Sequence, residues 1–280
     1  MSVGYISDDT GRKVAEARRI LRELGSALVA YSGGVDSTLL LRLAHDELGD
    51  RAVPAYISSP TMVGWEKDEA LAQAAEIGVA VRVVPGQELC DPDFAANTSL
   101  RCYHCRVANY PQLQRIADQE GLAAIVDGAN LDDLGDYRPG RRAALEKGVR
   151  SPLLEAGLTK AEVRAASRAL GLSTWDKPSM PCLASRIPYG IPVTEAALRQ
   201  IERAEAALHQ MGLAELRVRH HGDVARIEVP LADLPRLLEQ REAVVERLKG
   251  AGYTYVTLDL QGFRSGSLNE VLASRPEEAQ

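Results

Sequence analysis

Apolar positions along the chain change period several times, and each change marks an element. Val14, Ala17, Ile20, Leu21 and Leu24 recur at helical spacing, and the unbroken apolar run 27–30 that follows predicts a buried strand over about 26–31. A second helical pattern runs from Ser37 to about Leu48, stops at Gly49-Asp50 and gives way to a strand over 52–57. A helix over about 64–77, closed by Gly78, precedes a strand over 79–84, and a helix over about 110–120 precedes a strand over 123–126. Strands alternating with helices of this length predict a parallel α/β sheet with right-handed crossovers and ligands at the carboxyl ends of its strands. Residues 85–109 break the pattern: they are rich in Asp, Asn and Pro, and so long a loop in a compact domain predicts a functional or disordered segment.

Further on, Thr159 followed by Glu162 has the form of a capping box, opening a helix over 159–170 that ends at Gly171. Three prolines between 175 and 190 prevent a continuous helix and predict an ordered crossing segment, with the domain boundary just after it. The expected organisation is therefore 1–190 as the parallel-sheet domain and 191–280 as a small α+β domain for substrate or oligomer contacts. In the latter, a helix over 194–211, a hairpin of strands 216–220 and 224–229, a helix over 231–248 and a strand over 253–260 make an α-β-β-α-β unit, with a frayed tail from 274.

Composition narrows the function. The 280 residues carry a net charge of −6 with interspersed signs and a pI near 5.5, which gives no electrostatic footprint for nucleic acid. No apolar run is long enough for a membrane span, and the first residues lack a signal-peptide pattern, so a cytoplasmic protein is expected. In that compartment Cys90, Cys102, Cys105 and Cys182 are expected reduced, as reactive or metal-binding thiols.

The densest chemistry lies between the first strand and the second helix, in Ser32-Gly33-Gly34-Val35-Asp36-Ser37-Thr38. A strand entering a Ser/Gly turn and then a helix gathers backbone N–H groups, hydroxyls and a helix dipole at one point, which suits phosphate. The lysine of a Walker loop and the spacing of a dinucleotide fingerprint are both missing here. The segment resembles the PP-loop of N-type ATP pyrophosphatases, which split ATP between its α and β phosphates. Downstream, the charged stretch 131–142 is a candidate to serve a metal-bound triphosphate, and otherwise a solvated loop.

Taken with Arg-Cys-Tyr-His-Cys-Arg at 101–106, Asp-Gly-Ala-Asn at 127–130 and Cys-Leu-Ala-Ser-Arg-Ile-Pro-Tyr-Gly at 182–190, the loop resembles the LarE family over nearly the whole chain. Its members are ATP-dependent sulfurtransferases acting on pyridinium-3,5-biscarboxylic acid mononucleotide in synthesis of the nickel-pincer nucleotide of lactate racemase. The resemblance implies that Ser32, Gly33, Gly34 and Ser37 cradle pyrophosphate and that Asp36 helps hold Mg2+. It also implies that Gly128 and Asn130 serve the nucleotide, that Arg186 stabilises phosphate or carboxylate charge, and that Arg217 and Arg219, with Glu228, serve the substrate's phosphate. Cys182 resembles a cysteine that gives up its own sulfur. With Cys102 and Cys105, it would instead offer three thiolate corners for a 4Fe-4S cluster whose open iron delivers sulfide. A zinc site using Cys90, Cys102, Cys105 and His104, or thiols without metal, are the competing readings. By the same resemblance the protein is a homo-oligomer, a hexamer, and hands its product to other proteins of the same synthesis. The alternatives are an ammonia-dependent NAD synthetase-like ligase, a tRNA thiolase, or a nucleotide-binding sensor without turnover.

Overall fold

The computed structural model describes residues 6–135, 139–178, 181–264 and 266–270; the expected frayed tail from 274 lies outside them. The chain divides into two compact units: Met1–Glu88 with Cys102–Met180, and Leu89–Arg101 with Pro181–Gln280. Helix α1 (Asp8–Leu24), strand β1 (Ala27–Ala30), α2 (Val35–Leu48), β2 (Ala52–Ser58), α3 (Gly64–Ile77) and β3 (Arg82–Pro85) open the first unit. After α4 (Pro92–Ala95), which belongs to the second unit, the first resumes with α5 (Arg101–Gln119) and β4 (Ala124–Val126). Then come α6 (Pro139–Glu146), α7 (Pro152–Glu155) and α8 (Lys160–Ala169).

The four strands form a parallel sheet in the order β3-β2-β1-β4, with Ala27 of β1 beside Ala52 of β2 and Ala124 of β4. Successive strand residues face opposite sides of a sheet. Ala27 and Val29 accordingly pack with Leu21, Leu40 and Leu43 of α1 and α2, while Leu28 packs with Tyr110, Leu113 and Ala117 of α5 on the other side. Both faces of β1 are buried under helices, so the strand reads as a continuous apolar run. The capping box at Thr159 forms as expected: Glu162 N–H donates to Thr159 Oγ1 (3.3 Å), and Thr159 N–H to Glu162 Oε2 (2.8 Å).

The stretch 85–109 is more ordered than its composition suggests. Helix α5 begins at Arg101 and carries Cys102 and Cys105 in its first two turns, so these residues are helical and not part of a loop. Pro111 invites a helix start at that point, because proline suits the first turn. Here it lies inside α5, where the apolar side of the helix, Tyr110, Leu113 and Ala117, is buried against the sheet and offsets the one missing backbone hydrogen bond.

The second unit contains α9 (Glu195–His209), the antiparallel pair β5 (Arg217–His221) and β6 (Val224–Glu228), α10 (Leu234–Glu239), α11 (Arg241–Gly250) and β7 (Tyr255–Leu258), which pairs parallel to β6. The helix expected over 231–248 is divided between a short turn, α10 and α11. Sequence alone suggested one boundary after 190, whereas the units part at 180/181 and 89–101 joins the second. The reason is a set of hydrogen bonds between segments some ninety residues apart. Asn97, in the left-handed region at φ 54° and fully buried, donates from Nδ2 to the carbonyls of Pro188 and Ile191, both at 2.8 Å. Its own carbonyl accepts from Gly190 N–H (3.0 Å).

On the core side of β5, His220 is buried with its Nδ1 3.1 Å from the Tyr253 hydroxyl, and burial lowers its pKa. A buried neutral imidazole resists protonation that the unfolded chain accepts freely, so stability holds above the unfolded value and falls as pH drops below it. Thermal melting is expected to fall between pH 7.5 and 5.5, and to fall less in His220→Gln; an identical pH slope in that variant would contradict the assignment.

Candidate active site

The loop after β1 is built from residues that leave backbone bare. Gly33 has φ 71°, and a Cβ there would lie 2.5 Å from the Cβ of Ala70 in α3, so only glycine fits on both counts. Gly34 takes the N-cap position of α2 in extended conformation. Inside the turn the hydroxyls of Ser32 and Ser37 lie 3.0 Å apart, and the Ser37 hydroxyl donates to Gly34 O (3.2 Å). Tyr31 donates to Ala70 O (2.9 Å), and burial pushes its phenol up to about 12. The result is a small, hydroxyl-lined anion cradle at the positive end of α2.

The exit of β4 closes the cradle from the side. A Cβ on Gly128 would fall 2.8 Å from the backbone nitrogen of Ser37, so this glycine lets the β4 exit lie directly on the first turn of α2. Asn130 Nδ2 donates to Asp36 Oδ1 (3.1 Å), and the other oxygen of Asp36 pairs with Lys160 at the start of α8. Lys177 donates to Gly33 O (3.1 Å) and pairs with Glu69 (3.2 Å), with its side chain mostly buried. Two lysines therefore converge on the loop from downstream of β4. In the charged stretch, Asp132 accepts from Lys160 N–H (2.9 Å) and Asp133 accepts from Asn130 N–H (3.0 Å). Each of these two carboxylates caps backbone with one oxygen; Asp136, Tyr137 and Arg138 lie outside the described residues.

In the second unit, Cys182 is half-buried and caps the turn Leu183–Arg186; Ser179 and Met180 just before it lie outside the described residues. Arg186, expected to meet substrate charge, is only 1% exposed and forms a bidentate pair with Glu205 (2.9 and 2.8 Å). It also donates to Pro181 O (2.6 Å). Its donors hold the Cys182 segment against α9, which makes it a positioning group; removing either partner would strand a buried charge at a cost of about 3–5 kcal/mol. Arg219 pairs with Glu228 (2.7 Å) and donates to Ser185 O (2.9 Å). Arg217 differs. It is buried over the Phe263 ring, donates to Leu216 O (2.6 Å), and no carboxylate pairs with it among the described residues. Burial, then the neighbouring charge of Arg186, lowers its pKa.

No protein-family model matches the chain. It is 44% identical over 262 residues to an uncharacterised protein of Synechocystis sp., covering 93% of this chain and 98% of that one. It is 40% identical over 253 residues to the pyridinium-3,5-bisthiocarboxylic acid mononucleotide synthase of Lactiplantibacillus plantarum, covering 90% and 92%. The chain belongs to this synthase family. A more distant relative, 28% identical over 68% of this chain and 41% of its own length, is the glutamine-hydrolysing GMP synthase of Aeropyrum pernix. The family is one of ATP-dependent sulfurtransferases on a PP-loop fold, in agreement with the parallel sheet and the loop after β1.

For a synthase of this family, the placement of the remaining cysteines matters. Cys102 and Cys105 are one turn apart on α5, which puts them on one face of the helix. Cys102 is exposed and Cys105 half-buried. From the same helix Arg106 pairs with Asp127 (2.8 Å), tying α5 to the β4 exit. Lys160, Lys177 and Glu205 were not identified from sequence; the usable signal for Lys160 was its place directly after the capping residue Thr159.

Lys160 gives a test of the cradle. The Asp36 pair is about a third exposed on the lysine side, so Lys160→Ala is expected to change stability by no more than about 1 kcal/mol. It is expected to raise the Kd for ATP by about tenfold, the weight of one charge-assisted contact to phosphate. Calorimetric ATP binding checks it, and an unchanged Kd would remove Lys160 from the site.

Proposed function

We propose that this chain adenylates a carboxylate of pyridinium-3,5-biscarboxylic acid mononucleotide and then replaces oxygen by sulfur, giving the thiocarboxylate. The observation that carries the reading is the bare Gly33-Gly34 cradle with Asp36 and Lys160 beside it, in a chain of the synthase family. A carboxylate oxygen attacks the α-phosphorus of ATP and the bond to pyrophosphate breaks. A sulfur nucleophile then attacks the carbonyl carbon of the acyl adenylate, and the C–O bond to AMP breaks. The loop N–H groups, Lys160 and Lys177 stabilise the departing pyrophosphate, and Arg217 anchors the mononucleotide's phosphate.

Mg2+ fits the hard oxygen donor at Asp36, whose carboxylate is held at the mouth of the cradle by Asn130; bound there with the phosphates, it would neutralise their charge. Thiolates suit an iron–sulfur cluster, and Cys102, Cys105 and Cys182 supply three; such a cluster would leave one iron open to bind the delivered sulfide. The alternative sulfur source is Cys182 itself: its thiolate attacks the adenylate, and loss of the Cα proton then breaks the Cβ–S bond and leaves dehydroalanine. The product is read as a precursor of the nickel-pincer nucleotide of lactate racemase, made by a homo-oligomer and passed to other proteins of that synthesis. No helix among the described residues is long and apolar enough to cross a membrane.

Protein prepared without oxygen is expected to convert ATP to AMP and pyrophosphate only when the mononucleotide is present. Arg217→Ala is expected to raise the KM for the mononucleotide about tenfold or more while leaving that for ATP within about twofold. ADP as product would overturn the adenylation; equal effects on both KM values would move the substrate phosphate elsewhere. More than one sulfur transferred per chain supports the cluster, whereas a single transfer with Cys182 lighter by the mass of hydrogen sulfide supports the sacrificial route.

A further inference from the structure

We propose that Arg164 is the positioning residue that sets the Lys177 ammonium on the Gly33 turn. This rests on the reading of Lys177 as a contact to the departing pyrophosphate. Residues 172–178 form neither helix nor strand, so no helix or sheet ladder serves their carbonyls, and Pro178 offers no N–H. A lysine on such a segment, with a flexible four-carbon stem of its own, would sample many positions. Half-buried Arg164 of α8 supplies donors: its Nη1 donates to Trp175 O (2.9 Å) and its Nη2 to Lys177 O (3.0 Å). A planar guanidinium grips both carbonyls in one fixed geometry, and its charge strengthens each bond.

The grip belongs to a row of cations on α8. Lys160, Arg164 and Arg168 are spaced by four residues, which puts them on one side of the helix. Lys160 pairs with Asp36, Arg164 holds the two carbonyls, and the Arg168 guanidinium lies 4.8 Å from the centre of the Trp175 ring. Val163 and Ala166 are buried in the core shared with Val29 of β1, which fixes the helix itself. One helix therefore delivers both lysines to the cradle, Lys160 directly and Lys177 through Arg164. At the tip, the Lys177 ammonium donates to Gly33 O (3.1 Å) and pairs with Glu69 Oε2 (3.2 Å), while Glu69 Oε1 accepts from Gln73 Nε2 (3.2 Å). An ammonium has three N–H groups, and with two engaged here the third is the one to meet a phosphate oxygen. A backbone shift of about 1 Å at Lys177 would take the ammonium out of hydrogen-bond range of the turn, and misplacement on that scale costs rate even when its cause lies away from the reacting atoms.

The test is a double-mutant cycle in the full-length protein, read as pyrophosphate release in a single turnover with ATP and the mononucleotide both saturating. Arg164→Met keeps the stem and removes both donors. It is expected to slow release about tenfold, as is Lys177→Ala, and the double variant is expected to be no slower than Lys177→Ala alone. A clamp that served only the fold would slow the Lys177→Ala background by the same factor again. Position is read separately: acetylation of Lys177 by an N-hydroxysuccinimide ester, followed peptide by peptide by mass spectrometry, is expected to be severalfold faster in Arg164→Met, with the exposed Lys147 as an unmoved reference. Unchanged acetylation of Lys177, or a further tenfold loss in the double variant, overturns the proposal. If Arg164→Met does not fold, Arg164→Gln, whose shorter amide serves one carbonyl at most, is expected to move both readouts in the same directions by less, and wild-type acetylation of Lys177 in it overturns the proposal equally. Wild-type pyrophosphate release by Lys177→Ala, together with faster acetylation in Arg164→Met, would remove the pyrophosphate reading and leave the positioning in place, so the two failures are distinguishable.

Discussion

The space between the loop after β1 and helix α3 sets the terms for everything around it. At 2.5 Å from the Ala70 Cβ there is no room for a side chain on Gly33, and its positive φ would strain one in any case. The strand therefore delivers bare backbone to the first turn of α2, and Gly128 admits the β4 exit against that turn. A phosphate chain needs such closeness, because N–H groups stabilise it only at hydrogen-bond distance. Helices pack on both faces of the sheet at β1, the strand that leads into the loop.

Taken unit by unit, the charges follow two different logics. Some cations are paired with carboxylates and carbonyls inside the protein: Arg186 with Glu205 and the Pro181 carbonyl, and Arg219 with Glu228 and the Ser185 carbonyl. These hold backbone in place, and the Cys182 segment depends on them. Others are placed where a ligand's negative charge would complete them. Lys160 shares Asp36 at a half-open site, and Arg217 is buried with no carboxylate paired to it among the described residues. Within each unit, the fold thus separates residues that shape the site from residues left to bind.

Much of this was legible in the sequence because the signals were local. The strand–Ser/Gly turn–helix order, the Thr159/Glu162 capping box and the hairpin at 217–228 each rest on residues a few positions apart, and each formed. The harder cases depended on distant partners. Arg186 has the look of an anion-binding residue until Glu205, on a different helix, is known to face it. Asp132 and Asp133 read only as charges beside a triphosphate, and the sequence did not show that each caps backbone. Pro111 hid the start of α5 because proline is an excellent local signal for a helix beginning, and only burial of Tyr110, Leu113 and Ala117 explains why the helix runs through it. The kinship of 89–101 with 181–193 rests on Asn97, whose carbonyl partners lie some ninety residues away.

The chemistry turns on one oxygen atom. If a substrate carboxylate is adenylated before sulfur enters, the oxygen that sulfur replaces must leave with AMP. The direct measurement is to supply mononucleotide with oxygen-18 in its carboxylates and weigh the AMP formed during sulfur transfer. One labelled oxygen in each AMP is the expected result; AMP without label, alongside thiocarboxylate product, would contradict adenylation of the carboxylate.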